Sequence, residues 1–155
     1  MRRVVADALG PPRSTRPARR WGTFPTTADV GIWASGPNAA ALLEGLGLAL
    51  YGLFAAPRQV RPRELRTVRA SGNDAPELVV AFLNELLALE ETDGFLARRI
   101  VARPEGRALT AVTATLHGEP FDPARHIART EVKAVTYHDL VFDPRAGRAR
   151  VIVDL

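Results

Sequence analysis

The spacing of apolar residues along the chain changes period several times, and each change marks an element. Across residues 21–34, Ala28, Val30 and Ile32 alternate with Asp29, Gly31 and Trp33, which predicts a first extended segment. Ser35, Gly36, Pro37 and Asn38 break that alternation, and Asn38 is placed to cap a helix. Residues 39–54 then carry one charge, Glu44, among Leu42, Leu43, Leu46, Leu48, Leu50, Leu53 and Phe54. A helix of that length would be about 24 Å long, too short for a bilayer, and its surface is apolar nearly all round. Burial with protein on more than one side is the prediction. Gly45, Gly47 and Gly52 lower helix propensity there and predict the close approach of a neighbouring element.

In residues 55–70, Arg58, Arg61, Arg63, Arg66 and Arg69 interleave with Val60, Leu65 and Val68, as one exposed strand with a solvated arginine face would. Asp74 and Glu77 have the spacing of a capping box, with Pro76 in the first turn, and open a second helix running to about residue 90. Leu78, Phe82, Leu86 and Leu89 form its stripe, and Val79, Val80, Leu83 and Leu87 widen it beyond one face. Residues 95–102 and 109–117 read as strands around a PEGR turn, and residues 118–126 as a loop. Residues 131–142 read as a strand that returns, after the turn DPRAG, to the C-terminus. The order is β-α-β-α-β-β-β-β. Helices with such wide apolar faces need a sheet on each side, which predicts an α+β domain with the helix pair between two sheets, a β-α-β three-layer sandwich.

With 155 residues the chain can bury one core of ordinary size. It has no cysteine, which removes disulfides, thiolate metal sites and cysteine nucleophiles. The start, MRRVVADALG, has too short an apolar run for a signal peptide, and no segment reaches the length of a membrane span, so a cytoplasmic protein is expected. The net charge of +4 is unevenly spread: residues 1–20 hold six arginines and one aspartate, which leaves −1 for the other 135 residues. The chain thus divides into a basic arm, 1–20, whose Gly10, Pro11, Pro12 and Pro17 predict disorder, and a single, nearly neutral domain, 21–155. Such an arm either touches RNA or another acidic partner, or is a solvated tail.

Candidate chemistry gathers near the C-terminus. Lys133 is the only lysine among twenty-one basic residues. A compact ammonium is not interchangeable with a guanidinium, so a lone lysine in an apolar strand suggests a specific use, against the plainer reading of a surface lysine. By period two, Val132, Ala134, Thr136, His138, Leu140 and Phe142 share one face, and Lys133, Val135 and Tyr137 the other. Pairing Phe142 with Arg148 sets Asp154 opposite Thr136, close to Lys133 but on the other face; a slip or bulge would bring the two together. Asp29 lies in a strand-like run, where aspartate is disfavoured, and a bond from its carboxylate to the backbone of the preceding PTT turn would compensate it. Asp154 taken alone reads as a terminal residue with no partner. His117, His126 and His138 occupy three segments without i, i+4 spacing, so each reads as a satisfied polar residue, His138 through a buried hydrogen bond. Tyr137 reads as a core or interface residue. The chain has no nucleophile with its base, glycine-rich phosphate loop or zinc cluster.

Four pieces, TADVGI (27–32), FLNELL (82–87), GEPFDPARH (118–126) leading into EVKAVTYH (131–138), and the ending VIVDL, together resemble the archease family over about residues 26–155. The family commonly has histidine before the TAD triplet, where this chain has Thr26, so a ligand or acid role for that histidine has no counterpart here. The resemblance implies a protein factor and not an enzyme. Such a factor acts with an RtcB-type RNA ligase, promoting its guanylylation and multiple-turnover joining of RNA ends in tRNA splicing or RNA repair, and meets RNA through the ligase. It further implies a divalent cation held by Asp29, Asp154 and Leu155, with Lys133 as the functional lysine. Two carboxylates with a terminal carboxylate or carbonyl make a hard oxygen set, suited to calcium or magnesium and poor for zinc. Two other readings compete. One is an RNA- or protein-binding chaperone-like module in which these residues are structural. The other is a metal-dependent phosphate-ester hydrolase, against which the lack of a general base near the carboxylates argues.

Overall fold

The computed structural model describes residues 20–155, and caps set where its helices begin. Asn38 Oδ1 accepts the Ala41 N–H at 2.9 Å and starts α1, Ala39–Gly52. Asp74 Oδ1 accepts the Glu77 N–H at 2.9 Å and starts α2, Ala75–Asp93. Glu77 Oε1 reaches back to the N–H of Asn73 at 3.0 Å, one residue earlier than a capping box would have it. Gly94, in the left-handed region at φ 65°, ends α2 with its N–H on the Glu90 carbonyl at 2.7 Å.

Eight strands flank this pair: β1 (Trp21–Pro25), β2 (Val30–Ser35), β3 (Glu64–Ser71), β4 (Phe95–Glu105), β5 (Ala111–Pro120), β6 (Ala134–Val135), β7 (Val141–Asp143) and β8 (Arg148–Asp154). One sheet runs β1-β2-β8-β6, with β7 also paired to β8; the other runs β3-β5-β4. α1 packs on β1, β2 and β8 from one side and on β4 from the other, and α2 packs on β3, β4 and β5 as well as on β6 and β7. The three layers predicted from the helix surfaces are therefore present. Leu42, Leu43, Leu46 and Leu50 of α1 and Phe82, Leu83 and Leu86 of α2 are fully buried between the sheets. The helices are also tied directly: the Tyr51 hydroxyl donates to the Leu86 carbonyl at 2.8 Å, and burial, with the charge of Glu90, pushes its pKa up. Glu44, the lone charge of α1, accepts the Ala102 N–H of β4 at 2.9 Å. A Cβ on Gly45 would stand 2.8 Å from the Ala34 Cβ and one on Gly47 2.6 Å from the Ile100 Cδ1, so both glycines mark close approach to a sheet.

Several segments fold differently in detail from their alternation. Residues 21–34 are not one strand but a hairpin, with Trp21 paired to Ala34 and Pro25 to Val30 around a turn at 26–29. The strand expected across 131–142 is broken into β6 and β7, because residues 136–140 leave the ladder. Asp139 turns there at φ 52°, a conformation aspartate tolerates. Asp143 joins the ladder opposite Arg148, with Phe142 on Ala149 instead of Arg148, and the turn closes by Gly147 N–H to the Asp143 carbonyl at 2.9 Å. β5 extends through Gly118, Glu119 and Pro120, which the sequence pattern assigns to a loop.

The β4–β5 ladder shifts register between Ala97 and Arg99, leaving Arg98 as a bulged residue near Gly118. A Cβ on Gly118 would run into the Leu96 carbonyl oxygen. Gly118→Ala is therefore expected to destabilise the fold by about 1–3 kcal/mol, the usual cost of overpacking, measured by chemical denaturation.

Candidate functional site

β8 is the last strand in the chain yet lies inside its sheet, between β2 and the β6/β7 edge. Its ladders decide which residues meet at its end. Val30 pairs with Val153, and Ala134 with Asp154. One step beyond the first pair sets Asp29 against Asp154. The Lys133 N–H donates to the Asp154 carbonyl at 2.8 Å, which brings Lys133 level with Leu155. Asp29, Lys133, Asp154 and Leu155, drawn from three distant parts of the chain, thus share one corner of the sheet. Asp154 faces Ala134, not Thr136 as the simple hairpin register has it, because the excursion at 136–140 shifts the pairing.

Val30, Ile32 and Ala34 of β2 and Ala149, Val151 and Val153 of β8 face the helices. Alternation therefore puts Asp29 and Asp154 together on the outer face. There the Phe24 ring covers Gly31, whose cross-strand neighbour Ile152 is only 7% exposed, and the two aspartates follow this small apolar floor. Like charges directly opposed on neighbouring strands repel, and a cation between them reverses the sign of that interaction. The local compensation expected for the Asp29 carboxylate runs the other way: Thr26 Oγ1 accepts the Asp29 N–H at 3.0 Å and closes the turn. Among the described residues, the carboxylates of Asp29 and Asp154 and the Lys133 ammonium have no hydrogen-bond or ion-pair partner. Also among the described residues, no three His, Asp or Glu side chains gather into a metal cage. The donors at the corner are two side-chain carboxylates and the chain terminus, a hard oxygen set that fits calcium or magnesium and leaves positions open. By alternation Lys133 still points away from Asp154, but both are exposed at the end of the ladder.

The histidines divide. His126 is buried and satisfied, as expected. His138 is not buried: its side chain is 77% exposed, carried out of the sheet by the 136–140 excursion, with Nε2 3.3 Å from an Asp139 oxygen. Tyr137 in the same excursion is 57% exposed, outside the core.

A buried polar network escaped the sequence reading. Glu119 accepts the Arg61 N–H at 2.8 Å, pairs with Arg125 at 2.6 Å and meets His126 Nε2 at 3.0 Å. His126 Nδ1 accepts the Asp122 N–H at 2.8 Å, so the ring donates from Nε2. Arg125 also donates to the Gln59 carbonyl at 3.3 Å, while Arg129 and Thr130 N–H groups bond the Phe54 and Leu53 carbonyls at 2.9 Å each. The segment 118–130 is thereby stapled across the end of α1 before it enters the corner. The available signal was a glutamate between Gly118 and Pro120 with arginine and histidine six and seven positions on. Burial pushes the Glu119 carboxyl up, but bonds from Arg125, Arg61 and His126 outweigh it and bring it from the ordinary 4.5 down to about 2.

The fold is a small three-layer α+β domain in which Asp29, Lys133, Asp154 and Leu155 share an exposed corner of one sheet. The chain belongs to the archease family: a family model described as the Archease protein family (MTH1598/TM1083) matches residues 21–155. The protein archease of Pyrococcus abyssi is 33% identical over 126 residues, 79% of this chain and 87% of that one. The protein archease of Methanopyrus kandleri is 36% identical over 143 residues, 87% of this chain and 99% of that one. The solution structure of Methanobacterium thermoautotrophicum protein 1598 superposes with a TM-score of 0.74 at 29% identity, covering 89% of this chain and all of that one. A crystal structure of a Thermotoga maritima archease, described there as a possible chaperone, shares the fold with a TM-score of 0.54 at 20% identity, covering 92% and 97%. No helix among the described residues is long and apolar enough to cross a membrane.

A carboxyl held at a lowered pKa stabilises the fold fully above its unfolded value, and that contribution is lost as pH falls through the folded one. Glu119→Gln should therefore lower the denaturation midpoint at pH 7, and the gap to wild type should close between about pH 4.5 and 2. A gap independent of pH would show that the charge of Glu119 contributes nothing.

Proposed function

We propose that the chain is an activating factor for an RtcB-type RNA ligase, promoting guanylylation of the ligase and multiple-turnover joining of RNA ends in tRNA splicing or RNA repair. The observation that supports this most is the convergence of Asp29, Asp154, Leu155 and Lys133 at an exposed corner, with no internal partner for the charged side chains among the described residues. Charges left unpaired on a rigid scaffold are available to a ligand or a partner. Asp29, Asp154 and Leu155 would hold a divalent cation, calcium or magnesium, which supplies a compact positive charge with open positions for phosphate or carboxylate oxygen. The chain's own share is positioning. The β2–β8 ladder keeps the aspartates in register, the Lys133 N–H fixes the last residues through the Asp154 carbonyl, and Thr26 holds the Asp29 backbone. Lys133 adds a point charge at the same corner, suited to a phosphate or an acidic group of the ligase. An exposed corner suits entry into a partner's active site better than enclosure of a substrate. The chaperone description of the Thermotoga maritima relative agrees with a factor that acts on another protein.

The test is multiple-turnover RNA ligation by the cognate RtcB-type ligase with GTP, with and without this protein. Wild type should raise turnover, and Asp29→Ala and Asp154→Ala should each return it to the level of the ligase alone while thermal melting stays close to wild type. Stimulation that survives both substitutions would overturn the assignment of the corner. In calorimetric titration with calcium or magnesium, either substitution should weaken binding at least about tenfold, the lower bound for losing even an outer-shell partner. Residues appended after Leu155 should weaken it too, since they move the terminal carboxylate away.

A further inference from the structure

A second concave site lies on another side of the domain and uses none of these groups. It is a cleft of about 800 Å³ where the edge strand β1, the C-terminal end of α1, the 3₁₀ turn Pro57–Gln59, the β4 bulge and the loop after β5 come together. Three guanidinium groups line it, those of Arg58, Arg98 and Arg129, and among the described residues no carboxylate does. They come from three separate elements, each delivered by a specific device. Arg98 is the bulged residue that Gly118 makes room for, and Arg129 follows the segment stapled by Glu119, Arg125 and His126.

Two of the three are held in place by backbone carbonyls. Arg98 Nη1 lies 3.4 Å from both the Arg58 and Val60 oxygens, and Arg129 Nη1 lies 3.1 Å from the Gly52 oxygen. A guanidinium has five N–H donors, and these bonds use Nη1 alone. The Arg58 guanidinium has no hydrogen-bond or ion-pair partner among the described residues. Arg66 by contrast pairs with Glu64 and Asp93, Arg69 with Glu105, and Arg125 with Glu119 and Asp122, whereas none of the three cleft arginines pairs with a carboxylate among the described residues. The cleft thus gathers positive charge with no counter-charge in its walls among the described residues, in a concave setting that strengthens its field. Its volume is several times that of a bare phosphate and within the range of small-ligand sites. One wall is Trp21, whose ring stands 3.5 Å from a Cβ built on Gly52.

We infer that this cleft binds the phosphate groups of a nucleotide-sized ligand, with Arg58, Arg98 and Arg129 as the anion-binding residues. Planar guanidinium forks match phosphate oxygens in pairs, and such charge-assisted bonds are the strong ones. The phosphate comes either from a free nucleoside triphosphate or from the end of an RNA strand, and the two sources separate experimentally.

The experiment is fluorescence anisotropy on the full chain with two labelled probes, adenosine triphosphate and a 5′-phosphorylated single-stranded RNA 12-mer, in chelator-containing buffer so that the metal corner does not contribute. Arg58→Gln is the principal variant, because Arg58 makes no internal bond that the substitution would break. Arg129→Gln is the second, and Arg103→Gln, on β4 outside the cleft, is the control of equal charge change. Binding of at least one probe should fall about tenfold (~1.4 kcal/mol) in Arg58→Gln and change less than about twofold in Arg103→Gln. Binding of the triphosphate identifies the free nucleotide as a source, and binding of the 12-mer alone identifies the RNA end. Wild type that binds neither probe, Arg58→Gln and Arg129→Gln that both bind like wild type, or an equal loss in Arg103→Gln would overturn the assignment. The last outcome would leave diffuse attraction by the whole basic chain, including its arm.

Discussion

Neither helix can bury its apolar surface against a single layer. α1 carries leucines through most of its circumference with one charge, and α2 widens its stripe with valines at 79 and 80 and leucines at 83 and 87. Each such side chain gains about 1.5–3 kcal/mol on burial, so leaving half of them wet would remove more than a marginally stable domain can lose. A sheet on either side is the solution, and the rest of the architecture follows from supplying it. The chain builds one sheet from β3, β4 and β5 and closes the other by inserting its final strand between β2 and the β6/β7 edge.

That insertion also orders the corner at the end of the sheet. A C-terminal residue normally frays, because nothing beyond it holds the backbone. Here Val151 and Val153 are fully buried against the helices and β8 is paired on both sides, so the last residues inherit the order of the core. The turn before β2 lies at the same end, so the register carries Asp29 alongside Asp154. The carboxylates stand on the outer face, free of the helices, and their exposure leaves them available to a cation or a partner.

The segment 118–130 runs between the cleft and the corner. The buried Glu119 gathers three donors at one point, and the chain leaving that point supplies Arg129 to the cleft before it continues to Lys133 at the corner. A glutamate 3% exposed is costly unless fully paired, and its pairing explains why this stretch packs as firmly as a strand. The GEPFDPARH stretch, 118–126, is therefore a brace, with its consequences felt at residues on either side.

Much of the fold was legible because it rests on local chemistry. Asn38 and Asp74 announced the helix starts, and the breadth of the apolar faces announced two covering layers, since periodicity reports which sides of a helix must be dry. Alternation could not show that residues 21–34 fold back on themselves, because both arms of a hairpin keep the same period and only the Thr26–Asp29 bond marks the turn. Nor could it show that 136–140 leave the ladder, which exposes His138 and moves Asp154 from Thr136 to Ala134. The candidate residues themselves, Asp29, Lys133, Asp154 and Leu155, were visible as an odd aspartate, a lone lysine and a terminal motif. What tertiary structure alone decided is that they share a corner, that Glu119 is buried among Arg61, Arg125 and His126, and that a bulge at Arg98 turns one more arginine into a cleft. Each of these depends on pairing between segments far apart in the chain, and a one-residue change of register reverses which face a side chain takes.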